Sequence, residues 1–354
     1  MASLQDIAAI NPKSDQLQNT FIYIDLEAVE KGELRKIQEI MREEAPSRAQ
    51  RVINNNDILF QCVRPYQKNN YIHKILNTSN QQWVASTGYA QIRTTESPNY
   101  IYHLLNTDGF NRKVMVRCTG SSYPAINSED LATIRFYYTP DKKEQFKISR
   151  LLDLIDERIA TQNKIIEKLQ SLIKGIAQHC IKESTSGNTY VKLGDICQIT
   201  TGKLDANAQV DNGIYPFFTC AEQPFKIDSF AFDTEALLIS GNGANLGYIN
   251  YYKGKFNAYQ RTYVLDLFSE NIQYIKWALK VLLPKRIAIE KSSSNTPYIV
   301  LSTLTDLRLP IPCKSKQSFI ANLMQSLERK LSNQIAQYDS YNYLKQYLLR
   351  QMFI

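Results

Sequence analysis

Residues 148–180 read ISRLLDLIDERIATQNKIIEKLQSLIKGIAQHC. Apolar side chains recur there at steps of four and three residues, with Gln162 in the one polar position. The apolar positions are Ile148, Leu152, Ile155, Ile159, Ile166, Leu169, Ile173 and Ile176. This spacing is typical of a helix whose narrow apolar seam packs against another helix, as in a coiled coil.

The end of the chain repeats this seam 172 residues later, so that Ile320 corresponds to Ile148 and Gln334 to Gln162. The other seam positions of the last helix are Met324, Leu327, Leu331, Tyr338, Tyr341 and Leu348. Neither helix can bury its seam alone, so we expect the two to pack together in antiparallel orientation. Two alternatives stay open: the helices merely stabilise a two-domain protein, or both seams face other chains.

The segments that precede the two helices also repeat. VKLGDICQITTGK at 191–203 parallels SLQDIAAINPK at 3–13, with Leu193 in the place of Leu4. EALLI at 235–239 parallels DILFQ at 57–61, and Pro297 corresponds to Pro124 in the closing segment of each copy. The sequence therefore predicts one unit written twice. Its boundaries are a first globular domain at 1–144, a helix at 145–182, a second domain at 183–314 and a last helix at 315–354.

The sequence of the first domain predicts both strands and helices, which indicates an α+β fold class. FIYIDLEAV at 21–29, ILFQCV at 58–63 and residues 83–92 are typical of strands, and a helix follows Pro98. Residues 30–50 are polar and are predicted to be part helix and part exposed loop. Ser128 is the expected cap of a short helix.

The composition suits a globular protein of two domains, with 42 Lys and Arg against 34 Asp and Glu and a net charge of +8. This mild basic charge favours a nucleic acid or an anionic surface as partner without requiring one. No signal peptide and no apolar run long enough for a membrane span occur, so a cytoplasmic protein is expected. The scattered cysteines form no CxxC pair, and His73, His103 and His179 are not spaced with them as zinc ligands.

Catalytic motifs are mostly absent. The sequence has no phosphate-binding GxxxxGKS or GxxxxGKT loop, no HExxH and no Pro-Pro of an amino-methyltransferase. Gly241–Gly247 resembles a nucleotide loop, but YINYYKG follows it and predicts a strand where such a loop must open a helix. Pro140, Asp141, Glu144 and Lys147 have the wrong spacing for a nuclease, and a solvated charged segment is the preferred interpretation. No cofactor is therefore expected in this chain.

Polar loops with interleaved Arg, Tyr and Asn are better candidates for recognition, because these side chains contact phosphates and base edges. Ordinary surface loops are the alternative for any one of them. The candidates in the first domain are Arg64, Tyr66, Lys68, Asn69, Thr87, Ser121, Ser122 and Tyr123. The candidates in the second domain are Asn242, Asn245, Tyr259, Gln260, Arg261, Ser293, Ser294 and Asn295.

Several of these segments together resemble the specificity (S) subunits of Type I restriction-modification systems. The segments are LGDI at 193–196 with the looser LQDI at 4–7, SGNGANLGYI at 240–249, AYQRTYVL at 258–265 and SSNTPYIVLSTLTDLRLPIP at 293–312, followed by a helix ending in YLLRQMF. The first copy departs most, with RPY in place of the glycine-rich SGNGAN.

The resemblance implies two target recognition domains, each reading one half of a bipartite site in double-stranded DNA. The paired helices would set the spacer and dock two methyltransferase (M) subunits, which hold S-adenosylmethionine, and nuclease-translocase (R) subunits would join them. The S subunit itself would be non-catalytic. The alternatives are an S subunit of a fused nuclease-methyltransferase system, an enzyme acting alone, and an interaction scaffold without a role on DNA.

Overall fold

The computed structural model describes residues 1–75, 81–184, 189–290 and 298–353. The chain divides into two compact units, and the division falls inside both long helices. Unit 1 comprises Met1–Asn163 and Gln337–Ile354, and unit 2 comprises Lys164–Ala336. Each unit therefore combines one globular domain with parts of both long helices.

Unit 1 is built from short strands followed by helices. Its elements are β1 (Ala2–Ser3), α1 (Leu4–Ile7), β2 (Ala8–Ile10), β3 (Thr20–Ile24), β4 (Val29–Glu30), β5 (Glu33–Leu34), β6 (Gln38–Met41), β7 (Ala49–Ile53), β8 (Ile58–Gln61), β9 (Tyr71–Ile72), β10 (Gln82–Ser86), β11 (Tyr89–Thr94), α2 (Pro98–Leu105), α3 (Asp108–Arg117), α4 (Ser128–Ala132), β12 (Arg135–Phe136) and the first part of α5 (Lys142–Glu183). Two mixed or antiparallel sheets have the strand orders β6-β3-β10-β7 and β2-β11-β8-β9.

Unit 2 follows the same plan. Its elements are the rest of α5, β13 (Thr189–Lys192), β14 (Gln198–Thr201), β15 (Tyr215–Phe218), β16 (Phe225–Ile227), β17 (Phe232–Ser240), β18 (Ile249–Ala258), β19 (Thr262–Asp266), α6 (Ile272–Glu290), α7 (Leu301–Thr305), β20 (Arg308–Ile311) and the first part of α8 (Lys314–Met352). The order of its large sheet is β14-β19-β17-β18-β15-β16.

The structure confirms the internal repeat and the α+β class. In each unit the first strand pairs with the last, β1 with β12 and β13 with β20. Leu4 and Leu193 follow those first strands, and both side chains are fully buried in the core of their unit. The next strands also correspond, because the order β2-β11-β8 in unit 1 matches β14-β19-β17 in unit 2.

The two copies differ where a polar turn interrupts one strand of unit 1. Trp83 pairs with Ile53 on β7 as Phe256 pairs with Phe232 at the start of β17, so β7 and β8 together correspond to the single strand β17. Between β7 and β8, the backbone N–H of Asn54 donates to the Asp57 carboxylate at 2.7 Å. This turn, closed by the Asp57 side chain, separates the strands, and unit 1 has two large sheets where unit 2 has one.

The predicted seam positions of the long helices are buried or half-buried. In unit 1, Leu152 and Ile155 of α5 are buried, and an ion pair of 2.6 Å joins Asp156 to Lys345 of α8. Ile148 and Phe353 pack on one apolar cluster, so the two helices run antiparallel within this unit.

In unit 2, the buried seam residues of α5 and α8 share one apolar cluster, among them Leu169, Ile173, Ile320 and Met324. Lys316 at the start of α8 donates to the backbone oxygen of Glu183 at the end of α5 at 3.1 Å, so the helices are antiparallel here too. Gln162 is buried at its predicted seam position. Near the end of α8 the phase differs, because Leu349 rather than Leu348 is the buried residue.

Two local predictions are wrong. Residues 30–50 form the strands β5, β6 and the start of β7 with one short 3-10 turn, and no α-helix. The strand β6 lies at a sheet edge and is largely exposed, so it lacks the apolar alternation that identifies buried strands. Helix α4 begins at Ser128, and its cap is Asn127, whose side chain accepts from the N–H of Asp130. No helix in the described ranges is long and apolar enough to cross a membrane.

Candidate recognition site

Three loops meet at one end of the large sheet of unit 2. The N–H of Gly241, just after β17, donates to the carbonyl oxygen of Arg261 in the β18–β19 turn at 2.8 Å. The N–H of Ile299 donates to the carbonyl of Gly241 at 2.8 Å, which attaches the segment before α7 to the same place. The candidate loops of the second domain are therefore neighbours in space.

Gly241 is required by this close approach. A Cβ atom at this position would lie 2.5 Å from the carbonyl oxygen of Arg261, a distance that real Cβ atoms do not show. Two residues on, Gly243 has a φ of 77°, which side chains other than glycine rarely adopt. Gly241 thus serves loop packing, and Gly243 provides a backbone conformation that other residues rarely adopt.

The residues of this cluster that were predicted to bind DNA differ in solvent exposure. Gln260 and Arg261 are exposed, and Asn242, Asn245 and Tyr259 are half-buried. The Asn245 amide donates to the carbonyl of Cys220 at 3.0 Å, so this side chain also holds a neighbouring loop. Ser293, Ser294 and Asn295 lie outside the described residues.

Unit 1 assembles its loops through equivalent hydrogen bonds. The N–H of Cys62, just after β8, donates to the carbonyl of Gly88 in the β10–β11 turn at 3.0 Å. The N–H of Ile126 donates in turn to the carbonyl of Cys62 at 3.0 Å. These bonds repeat those of Gly241 with its two partners, so the fold builds the same three-loop cluster twice.

At the rim of the unit 1 cluster, the Arg64 guanidinium carbon lies 4.4 Å from the centroid of the Tyr123 ring. Tyr123 is 64% exposed, and Ser121, Ser122 and Tyr66 are exposed as well. The backbone of Arg64 has a φ of 54°, an uncommon left-handed conformation for a residue other than glycine. Its N–H donates to the carbonyl of Pro124 at 2.8 Å, which fixes this conformation.

Three other predicted residues of unit 1 bond mainly within the protein. The Lys68 ammonium pairs with Asp108 at 2.7 Å, and its hydrogen bond lowers the pKa of that carboxyl. The side-chain oxygen of Asn69 accepts from the N–H of Lys31 at 3.0 Å, and the N–H of Thr87 donates to the carbonyl of Arg48 at 2.8 Å. Lys68 and Asn69 therefore shape the loop, and the charge of Lys68 is already compensated.

A network of amide side chains supports the loop from below. The Gln61 amide donates to the side-chain oxygen of Gln67 at 2.9 Å, and its own oxygen accepts from the N–H of Asn69 at 3.1 Å. Asn70 accepts from the N–H of Gln61 at 2.8 Å, and Gln61 and Asn70 are buried. Such satisfied buried networks hold a backbone in one conformation.

The loops border a cleft of about 540 Å³ lined by Arg48, Arg64, Gln67, Asn69 and Tyr123, among others. Arg48 is an exposed cation that the sequence analysis missed, because it lies in the polar stretch whose strands were not recognised. Its position depends on the carbonyl contact with Thr87, which no local pattern indicates.

The chemistry available in these clusters is recognition. Burial raises the pKa of the Cys62 thiol to about 12, so this cysteine is an inert core residue. Within the described ranges, no group of His, Cys, Asp and Glu side chains is arranged to hold a metal ion. What the loops offer is guanidinium, amide, hydroxyl and aromatic groups, which contact phosphates and base edges.

The architecture defines a class: a protein with two similar α+β domains, each carrying the same loop cluster and followed by a long helix. Residues 185–338 match the family model described as "Type I restriction modification DNA specificity domain". This match covers the second domain and part of the last helix.

Curated relatives show the same similarity. Over 137 residues the chain is 44% identical to the Type I restriction enzyme EcoDI specificity subunit of Escherichia coli; the match covers 39% of this chain and only 30% of that subunit. A putative type I specificity subunit of Mycoplasma genitalium is 22% identical over 276 residues, 72% of this chain and 70% of the relative.

Solved structures extend the likeness in fold over the whole chain. A Type I restriction-modification S subunit from M. genitalium matches with a TM-score of 0.69 at 16% identity, covering 100% of this chain and 95% of the other. A chain from a study of complex assembly and conformational transition of the type I R-M system matches with a TM-score of 0.62 at 21% identity, over 99% and 96%.

Proposed function

We propose that this chain is the specificity subunit of a Type I restriction-modification system and binds double-stranded DNA at a bipartite site, with each globular domain reading one half. The observation that carries the proposal is the three-loop cluster that occurs in both units with equivalent hydrogen bonds. Two similar domains with different side chains at equivalent positions suit a site with two different halves. Arg64 and Tyr123 stand in one cluster, and Asn242 and Arg261 stand in the other.

The candidate DNA-contacting residues divide into two roles. Half-buried Arg64 and exposed Gln260 and Arg261 lie at the rim of their clusters and would contact phosphates or base edges. Lys68, Asn69 and Asn245 bond to other parts of their own unit and would act by holding the loops. Ser121, Ser122 and Tyr66 are exposed and remain candidates for phosphate contacts.

The paired long helices are proposed to set the length of the nonspecific spacer and to dock two methyltransferase subunits. The matching register of the two seams, 172 residues apart, supports a duplicated spacer element. Helix α5 has 42 residues and a length of about 63 Å, which is comparable to between one and two turns of duplex DNA.

Catalysis is proposed to reside in the partners. The methyltransferase subunits would bind S-adenosylmethionine, and nuclease-translocase subunits would join them on unmodified DNA. An S subunit of a fused nuclease-methyltransferase system remains the alternative, and both versions predict a protein that works in the cytoplasm.

The proposal is tested by sequencing modified bases in the host genome with and without the gene. We expect one two-part motif to lose its modification when the gene is removed. Replacing residues 183–312 by the equivalent domain of another family member should change one half of that motif only. An unchanged modification pattern after removal, or a change in both halves after the exchange, would contradict the proposal.

A second experiment tests the spacer. Inserting one heptad into α5 and one into the matching position of α8 keeps both seams in phase. The recognised spacer should lengthen while both half-sites stay the same. A single insertion in α5 alone is the control, because it shifts one seam against the other and should abolish recognition.

A scaffold without a role on DNA is distinguished by salt dependence. Binding that uses phosphate contacts weakens steeply as salt concentration rises, because counterions are released on binding. A purified chain whose affinity for duplex DNA does not change with salt would favour the scaffold.

A further inference from the structure

We infer that Arg64, held against Tyr123, is a specificity-determining residue that reads a guanine in the half-site of the first domain. The inference rests on the proposed function and specifies which residue reads one base pair and which base it reads. It is carried by the contact of 4.4 Å between the Arg64 guanidinium and the Tyr123 ring at the exposed rim of the loop cluster.

The backbone conformation of Arg64 fixes the point from which its side chain extends. Arg64 adopts the left-handed conformation, its N–H donates to the carbonyl of Pro124, and a β-bridge joins Val63 to Ala125. The loops that carry Arg64 and Tyr123 are therefore tied together directly beside the two side chains. An arginine that starts from a fixed backbone loses less conformational entropy when it binds.

The ring of Tyr123 then orients the guanidinium. A guanidinium that lies over an aromatic ring is attracted through its face, while its N–H groups point outward in its own plane. A planar fork of two donors matches the O6 and N7 acceptors of guanine in the major groove. A mobile arginine would serve a phosphate equally well, but the fixed plane favours a planar partner.

Two other cations of unit 1 near this cleft are already paired with carboxylates. The guanidinium of Arg35 lies 3.0 Å from the carboxylate of Glu33, and the ammonium of Lys68 lies 2.7 Å from that of Asp108. Within the described part of the chain, Arg64 forms no ion pair. Its charge is therefore available to a ligand.

Unit 2 differs at the corresponding place. The loop after β17 carries Asn242 and Gly243 where the loop after β8 carries Arg64, as the bonds of Gly241 and Cys62 show. The inference therefore assigns the guanine to one half-site only. This asymmetry makes it testable within one molecule, because the second half-site serves as an internal reference.

The experiment selects sequences from a pool of randomised duplex DNA with the full-length chain, purified together with the methyltransferase subunits of its own host. Wild type should enrich a two-part motif. Arg64→Lys keeps the positive charge but lacks the fork, so one G·C pair in one half should lose about 10- to 100-fold in preference while the other positions stay. Tyr123→Phe should preserve the preference for guanine, and Tyr123→Ala should weaken it.

Arg35→Lys is the matched control, since its charge in the same cleft is already compensated, and its motif should equal that of wild type. Melting temperatures of all variants establish that they fold. An identical motif for Arg64→Lys and wild type overturns the guanine assignment and leaves the proposed function intact. A uniform loss of affinity for all duplexes makes Arg64 a phosphate contact and also overturns it. A wild-type chain that selects no sequence overturns the proposed function, and the inference with it.

Discussion

A charge cluster in unit 2 provides a sharp test of how a globular domain is attached to its helix. The ammonium of Lys276 on α6 lies 2.7 Å from the carboxylate of Glu328 on α8, and Lys280 lies 3.2 Å from its other oxygen. The side chain of Lys276 is only 9% exposed, whereas that of Glu328 is 33% exposed. Glu328→Gln removes the negative charge and keeps the shape, so that a buried ammonium loses its counter-charge.

The expected cost follows from these exposures. Breaking a fully buried ion pair costs about 3–5 kcal/mol, but Glu328 is partly solvated, so we expect Glu328→Gln to lower the free energy of unfolding by about 2 kcal/mol. Lys276→Met removes the buried charge and keeps the apolar stem, and should cost under about 1 kcal/mol. The double variant should be more stable than Glu328→Gln alone, which gives a coupling energy of about 1–2 kcal/mol.

The pH dependence of Glu328→Gln has a definite sign. Burial lowers the pKa of Lys276 below its ordinary 10.5, and the hydrogen bond with Glu328 opposes this shift. Without the carboxylate the pKa falls further in the folded state. Just below pH 10.5 the unfolded chain then binds more protons than the folded one, so stability rises with pH. The deficit of Glu328→Gln should therefore shrink as pH rises toward 10.5.

The assay is urea unfolding followed by the fluorescence of Trp277, which lies on α6 beside this cluster. The chain has two tryptophans, so Trp83→Phe in unit 1 leaves Trp277 as the only reporter. Phenylalanine already occupies the equivalent position in unit 2, at Phe256, so this background change suits its site. Purely additive costs in the double variant, or a deficit that grows with pH, would refute the reasoning.

Four further predictions concern single positions. Asp57 is 1% exposed and accepts two hydrogen bonds of 2.8 Å from Arg93, so Asp57→Asn should destabilise unit 1 by about 2–3 kcal/mol in urea unfolding followed by Trp83. Asp306→Asn, which removes a half-exposed pair with Lys192, should leave the urea unfolding of unit 2 nearly unchanged. Burial lowers the pKa of His73 to about 4, so the stability of unit 1 should fall as pH drops from 6.5 toward 4, and His73→Phe should flatten this slope. Gly241→Ala places a methyl group against a carbonyl oxygen at 2.5 Å, so sequence selection should lose the second half-site while the first persists.

The long helices could be predicted because their pattern is local. A seam of period 3.5 depends only on which residues follow one another, and buried Leu152 and Met324 fall where the spacing places them. Near the end of α8 this reasoning fails, because Leu349 is buried where the heptad spacing predicts Leu348. The seam phase drifts near a helix end, where packing on the globular domain replaces packing on a partner helix.

The repeat of the two domains could be predicted, but neither the convergence of the loops nor the role of single side chains could. Lys68 was chosen as a basic residue in a polar loop, yet its charge is neutralised by Asp108, 40 positions away along the chain. Arg48 was missed because it lies in a short turn just before β7, and no local pattern indicates that this turn borders a cleft. Contacts between segments that are distant in sequence decide which polar side chains remain available to a ligand. No local sequence pattern indicates these contacts.

In each unit an acidic residue of a long helix contacts a basic residue of the globular domain, and this basic residue is a histidine in unit 1 and a lysine in unit 2. Asp156 on α5 and Glu328 on α8 occupy the same position of the helix repeat, 172 residues apart. Within unit 1, His103 on α2 lies 2.8 Å from Asp153 and 4.0 Å from Asp156; within unit 2, Lys276 on α6 pairs with Glu328. In both units the recognition loops and the anchored helix belong to one packed body, so an acidic residue of the helix fixes where the domain sits along it. If the length of the helices sets the length of the DNA spacer, the contacts of Asp156 and Glu328 hold each domain at a fixed distance along the helices. Weakening either contact should therefore broaden the range of accepted spacer lengths before it changes a half-site.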